Sequence, residues 1–95
     1  MHMKMYVKII DGVPIAHYTV VVHKFSVGDV DDPEIYAAQP IWDWQQTDSG
    51  KFIMEHATEK PSYRQYLDHQ VYGFQYAITA TLKETDYIYW KLKYE

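Results

Sequence analysis

VYGFQYAITATLKETDYIYWKLKY, residues 71–94, is the stretch on which the fold turns. Two runs rich in apolar and aromatic residues, 71–83 and 87–94, flank Glu84-Thr85-Asp86. Read as a hairpin centred on Thr85, they set Leu82 against Ile88, Ala80 against Trp90, Ile78 against Leu92 and Tyr76 against Tyr94. Every pair on that face is apolar or aromatic, and small Ala80 leaves room for large Trp90. The other face sets Lys83 against Tyr87, Thr81 against Tyr89, Thr79 against Lys91 and Ala77 against Lys93. Gly73 reads as a bend or bulge where this long strand curves.

Upstream, residues 58–70 are polar, contain Pro61 and read as a long loop with a helical turn near Ser62 to Leu67. Residues 40–46 and 51–57 read as a second hairpin around Thr47-Asp48-Ser49-Gly50, with Trp42 and Trp44 on one face by the two-residue strand period. The preferred register sets Trp44 against Met54 and Gln46 against Phe52, since a one-residue slip brings Trp42 opposite Glu55. It also sets Asp43 opposite Glu55. Across 26–40, Gly28 and an acidic cluster make a loop. Asp31 or Asp32 before Pro33 reads as an N-cap with proline at the first helical position. One or two helical turns over Glu34 to Gln39 end at Pro40. Residues 15–25 are dominated by β-branched side chains and read as a strand, as do residues 5–10. Asp11-Gly12 between them is a hairpin signal, and Pro14 points to an edge or a wider turn.

The expectation is one mostly β domain over residues 1–95, a small barrel or highly curved sheet with at most short helical turns. Its core is expected to include Val7, Ile9, Val20, Val22, Trp44, Met54, Ile78, Ala80, Leu82, Ile88, Trp90 and Leu92.

With 95 residues, such a core is modest. Zero cysteines exclude disulfides and thiolate metal sites. No run of about 18 apolar residues is present, so no membrane span is expected. Lys4, Lys8 and Asp11 break the early apolar stretch, so no secretory signal is expected. Net charge is −4 but unevenly spread. Residues 1–24 sum to +2 and residues 25–50 to −6, while 51–70 and 71–95 are each neutral. An acidic flank of this kind leaves room for a local anion-binding face elsewhere. Ten tyrosines suit strands and half-buried subunit interfaces.

The histidines do not make a metal site. His17 and His23 sit on one face of one expected strand, about 20 Å apart. No HExxH or cysteine partner accompanies them. Asp29, Asp31 and Asp32 lack the EF-hand order and its distal glutamate. No serine lies in a nucleophile motif and no glycine-rich phosphate loop is present. The chain therefore reads as a non-enzyme with no catalytic residue, no metal and no cofactor.

One stripe could take a ligand. Tyr87, Tyr89, Lys91 and Lys93 share a face of the expected last strand, beside Lys83. Rings stack on bases and ammonium groups neutralise phosphates, which is what a single-stranded nucleic acid asks for. The same pattern also fits a solvent face with lysines guarding an edge strand, or a tyrosine-rich subunit interface.

Two stretches, Lys24 to Pro40 and Trp44 to His56, resemble a family of short marine proteins of cyanophage origin. The end of the chain, Leu82-Lys83-Glu84 through Trp90-Lys91-Leu92-Lys93, is similar to the same family. The resemblance covers about residues 18–94. It implies an Sm-like fold, a strongly bent five-stranded barrel that closes into a ring, with five subunits favoured and a nucleic-acid-processing role proposed. It also implies a phage protein in the cytoplasm of an infected host cell. No Ile-Arg-Gly sequence and no Asp-x-x-Asn uridine pocket of true Sm proteins is present, so no uridine-binding residue transfers to this chain.

Two functions compete. One is a ring-forming phage protein that binds single-stranded RNA or DNA without chemistry. The other is a phage structural or assembly adaptor acting through protein contacts. Open strand edges support self-association under either.

Overall fold

Asp11 and Gly12 both adopt positive φ, 53° and 78°. That is the requirement of a type I′ turn, and it closes a two-residue hairpin loop between Ile10 and Val13. The computed structural model describes residues 4–67 and 73–94. Strand β1 (Lys4–Ile10) pairs antiparallel with the long β2 (Val13–Gly28). Pro14 pairs with Ile9 beyond the reach of any third strand, so its missing N–H leaves no ladder bond unmade. Helices α1 (Pro33–Gln46) and α2 (Asp48–His56) follow, then β3 (Ser62–Leu67), β4 (Phe74–Lys83) and α3 (Glu84–Tyr94). The sheet order is β1-β2-β4-β3 and every pairing is antiparallel.

The curled sheet fits a bent β architecture, but it is a four-stranded half-barrel carrying three helices, with no fifth strand among the described residues. Three segments depart from the expected pattern. Residues 40–57 are two helices, not a hairpin, so the pairs Trp44–Met54 and Gln46–Phe52 do not form. Residues 62–67 are the edge strand β3, not a helical turn. Residues 87–94 are helical, so no C-terminal hairpin exists and β4 runs into α3 without a loop.

Side-chain periodicity explains each helix. In α1, Ala37, Ile41 and Trp44 recur at helical spacing and turn inward, while Trp42 is 57% exposed. Pro33 starts this helix as expected, but Pro40 does not end it. Thr47 accounts for the junction that resembled a hairpin turn: its Oγ1 accepts from the Gly50 N–H (3.0 Å) and donates to the Trp44 carbonyl (2.6 Å). That is an N-cap for α2. In α3, Tyr87, Trp90 and Tyr94 face the body. Glu84 and Asp86 occupy its first turn and Lys91 and Lys93 its last, which complements the helix dipole.

The core lies between one face of the sheet and the helices. Val20, Ile78, Ala80 and Leu82 come from the sheet, and Trp44, Ile53 and Trp90 from the helices. Val20, Trp44, Ile78, Ala80, Leu82 and Trp90 were expected there; Ile53 was not. Val22 is only half-buried at the margin. Five expected core residues are exposed: Val7, Ile9, Met54, Ile88 and Leu92. Ile88 and Leu92 fail because a helix sends them to the face opposite Trp90. Val7 and Ile9 fail because β1 extends past the end of β4.

A bulge between Val21 and His23 changes the parity of β2. His23 therefore faces the helices and stacks on Trp44, while His17 lies on the opposite face. The expectation that they share a face does not hold. Gly73 (φ 100°) does mark a bend, just before β4, where its backbone abuts that of Gly28.

Candidate nucleic-acid interface

The four strands carry Lys4, Lys8, Lys24, Arg64 and Lys83 and not one Asp or Glu. Strand alternation and register put all five cations on one face. Lys4 pairs with Thr19, and Lys8 with Ile15. Lys83 pairs with His17 and Lys24 with Ala77. Arg64 also pairs with Ala77, from the other side. Each of these positions alternates with the core-facing residues Tyr18, Val20, Ile78, Ala80 and Leu82. The basic face is therefore the one turned away from the helical core.

Residues align across this face in rows. Tyr6, His17 and Lys83 make one row across β1, β2 and β4. Lys24, Ala77 and Arg64 make another across β2, β4 and β3, which spaces the two cations roughly 10 Å apart over a small residue. Six residues of β4, about 20 Å, separate the two rows. Between them the floor is neutral: Thr19, Thr81, Val21 and Thr79. The hydroxyls of Thr19 and Thr81 share a hydrogen bond of 2.8 Å. Beyond the second row, Tyr66 flanks Gln75, whose amide donates to Ser26 Oγ at 3.1 Å.

The aromatic groups are ordered by their neighbours. The Tyr6 ring stacks on His17 at 5.1 Å with only 9° between planes. His17 is buried, and its Nδ1 lies 3.0 Å from the Ile15 carbonyl. Tyr6 itself is 43% exposed, so one side of its ring remains open to a ligand. Among the described residues, one carboxylate reaches this face: Glu59 accepts from Thr81 Oγ1 at 3.3 Å. The other described acidic groups lie elsewhere, Asp11 in the β1–β2 turn. The stretch Asp29 to Glu34 sits at the start of α1, and Asp43, Asp48, Glu55, Glu84 and Asp86 lie on the helices. Burial, with Glu34 and Asp32 nearby, raises the Tyr76 phenol on the helical side.

The expected stripe is not assembled as a strand face. Lys83 alone of its five members is on the basic sheet face. Tyr87, Tyr89, Lys91 and Lys93 belong to α3, and their rings serve packing: Tyr87 stacks on Tyr18 at 4.5 Å and Tyr89 on Phe52 at 5.1 Å. Lys91 lies over the Tyr87 ring and Lys93 over Tyr89, the four-residue pairing of a helix. Lys93 Nζ also donates to the Tyr89 hydroxyl at 3.1 Å, which raises the lysine's proton affinity. Sequence reasoning missed Lys4, Tyr6, Lys8, Lys24, Arg64 and Tyr66. The signal that could have found them was the absence of any acid from strands that hold five cations.

Among the described residues, no group of three His, Asp or Glu side chains is placed to hold a metal ion. No described helix is long and apolar enough to cross a membrane. No family model matches this chain, and no curated protein or solved structure is significantly similar to it.

Proposed function

We propose that this protein binds single-stranded nucleic acid on the sheet face turned away from its helices, without catalysis. The observation that carries the reading is the segregation of charge: five cations and no acid within the strands, all five on one face. Four-stranded sheets with exposed rings are a recurrent platform for unpaired bases. Here Tyr6 and Tyr66 supply the rings. Lys24 with Arg64 and Lys83 with Lys4 supply phosphate contacts at the two ends of the floor. The expected Sm-like ring and cyanophage setting belong to the same proposal and would place this binding in the cytoplasm of an infected cell.

The test is a fluorescence-anisotropy titration of short single-stranded RNA and DNA at about 50 mM and 200 mM salt. Binding should fall with salt, and Lys24→Glu with Arg64→Glu should abolish it while the fold persists. A double variant that binds as tightly as the wild type removes the sheet face from the proposal. The adaptor reading is favoured by the exposed apolar residues of the β1–β2 hairpin, and it predicts no oligonucleotide binding at either salt concentration.

A further inference from the structure

The β1–β2 hairpin outruns the sheet. The last pairing of β2 with β4 is His17 with Lys83, so Val7 to Ala16 form a two-stranded ribbon with no third strand among the described residues. Such a ribbon is marginal in water on its own. This one is also apolar: Met5, Val7 and Ile9 alternate along one face, with Ile9 71% and Val7 58% exposed, and Val13 is exposed near the tip. None of them contributes to the core. An unpaired, projecting apolar ribbon is a contact surface looking for cover.

We infer that this ribbon docks on helix α1 of a second copy of the chain. Helix α1 leaves Ile35 and Trp42 exposed at 68% and 57%, seven residues apart on one side, and a shallow groove runs past Ala38, Gln39 and Trp42. Charge decides among the available surfaces. The hairpin carries Lys4 and Lys8, whose long stems can reach round its edge, against Asp11 alone at its tip. Helix α1 is framed by Asp31, Asp32, Glu34 and Asp43. The alternatives offer no such complement: a second ribbon brings its own two lysines, β3 brings Arg64, and α3, which exposes Ile88 and Leu92, sets Lys91 and Lys93 against Glu84 and Asp86. Ribbon and groove are different surfaces, so the contact is heterologous and propagates from copy to copy.

Light scattering coupled to size exclusion tests this on the full chain at about 100 µM, where even a micromolar contact is saturated. The wild type should run above its 11.3 kDa monomer mass. Val7→Asp with Ile9→Asp should run as a monomer, and so should Ile35→Asp with Trp42→Asp. All four side chains are exposed, so unchanged circular dichroism is expected for both variants. Mixed together, the two variants should form a one-to-one dimer and stop, because each retains one intact surface. A monomeric wild type overturns the inference. So does an Ile35/Trp42 variant that still self-associates, since its ribbon would then be docking elsewhere.

Discussion

Gly50 shows how a single residue decides between a turn and a helix. It reads as the end of a hairpin turn, yet it is the third residue of α2 and is held by the Thr47 cap. Its α-carbon is pressed against the Trp44 carbonyl, so an added β-carbon would overlap that group. Gly50→Ala should therefore destabilise the fold by about 1–3 kcal/mol, although alanine is the better helix former. Chemical denaturation measures this, and a stabilised variant would show that the α1–α2 junction relaxes freely. His23 gives a second expectation at this scale. Its burial against Trp44 lowers its proton affinity below the ordinary imidazole value of about 6.5. The unfolded chain then binds the proton more readily than the folded one. The associated stability is fully present above about pH 6.5 and is lost as pH falls from there toward the folded value. Replacing His23 with Phe should remove that part of the acid dependence, as read by thermal unfolding from about pH 7.5 to 5.

At the level of elements, β1, β2 and β4 were legible, while β3 and most of the helices were not. The Asp11-Gly12 turn, β2 and β4 follow from turn chemistry and β-branched runs that admit no other reading. The last segment is ambiguous because aromatic residues at 87, 90 and 94 fit a helix while 88, 90 and 92 fit a strand. Burial of Trp90 satisfies both patterns. What separates them is charge order, acids first and lysines last, together with the strand partner that the segment lacks. The expected binding stripe failed for the same reason. A strand would have shown Tyr87, Tyr89, Lys91 and Lys93 side by side, whereas the helix divides them into two ring–lysine pairs. Lys91→Glu with Lys93→Glu therefore becomes a perturbation of α3. Placing two acids at the negative end of the helix should lower the melting temperature. Affinity for a single strand should change far less than on reversal of Lys24 and Arg64. If reversal on α3 is the more damaging of the two, the ligand lies on the helix rather than the sheet.

For the molecule as a whole, the net charge of −4 conceals a two-sided object. The strands sum to +5, while α1 and α2 together carry Glu34, Asp43, Asp48 and Glu55 against Lys51 alone. A polyanion approaching the sheet is screened from the helical acids by the body of the protein, whose shortest extent of 21 Å still exceeds a Debye length of about 8 Å at physiological salt. Stacking and charge should then separate experimentally. Each phosphate neutralised contributes about −0.7 to the slope of log affinity against log salt for a single strand. Neutralising the pair instead of reversing it, Lys24→Gln with Arg64→Gln, should weaken binding and flatten that slope by about 1.4. Tyr6→Ala removes a ring that releases no counterion, so it should weaken binding by about 1–3 kcal/mol at every salt concentration and leave the slope unchanged. Tyr6 also stacks on His17, so the variant's melting curve must be measured alongside. If binding weakens while the melting temperature holds, the ring acts on the ligand. If both fall together, its role is to brace the first row of the sheet, and base stacking must come from Tyr66.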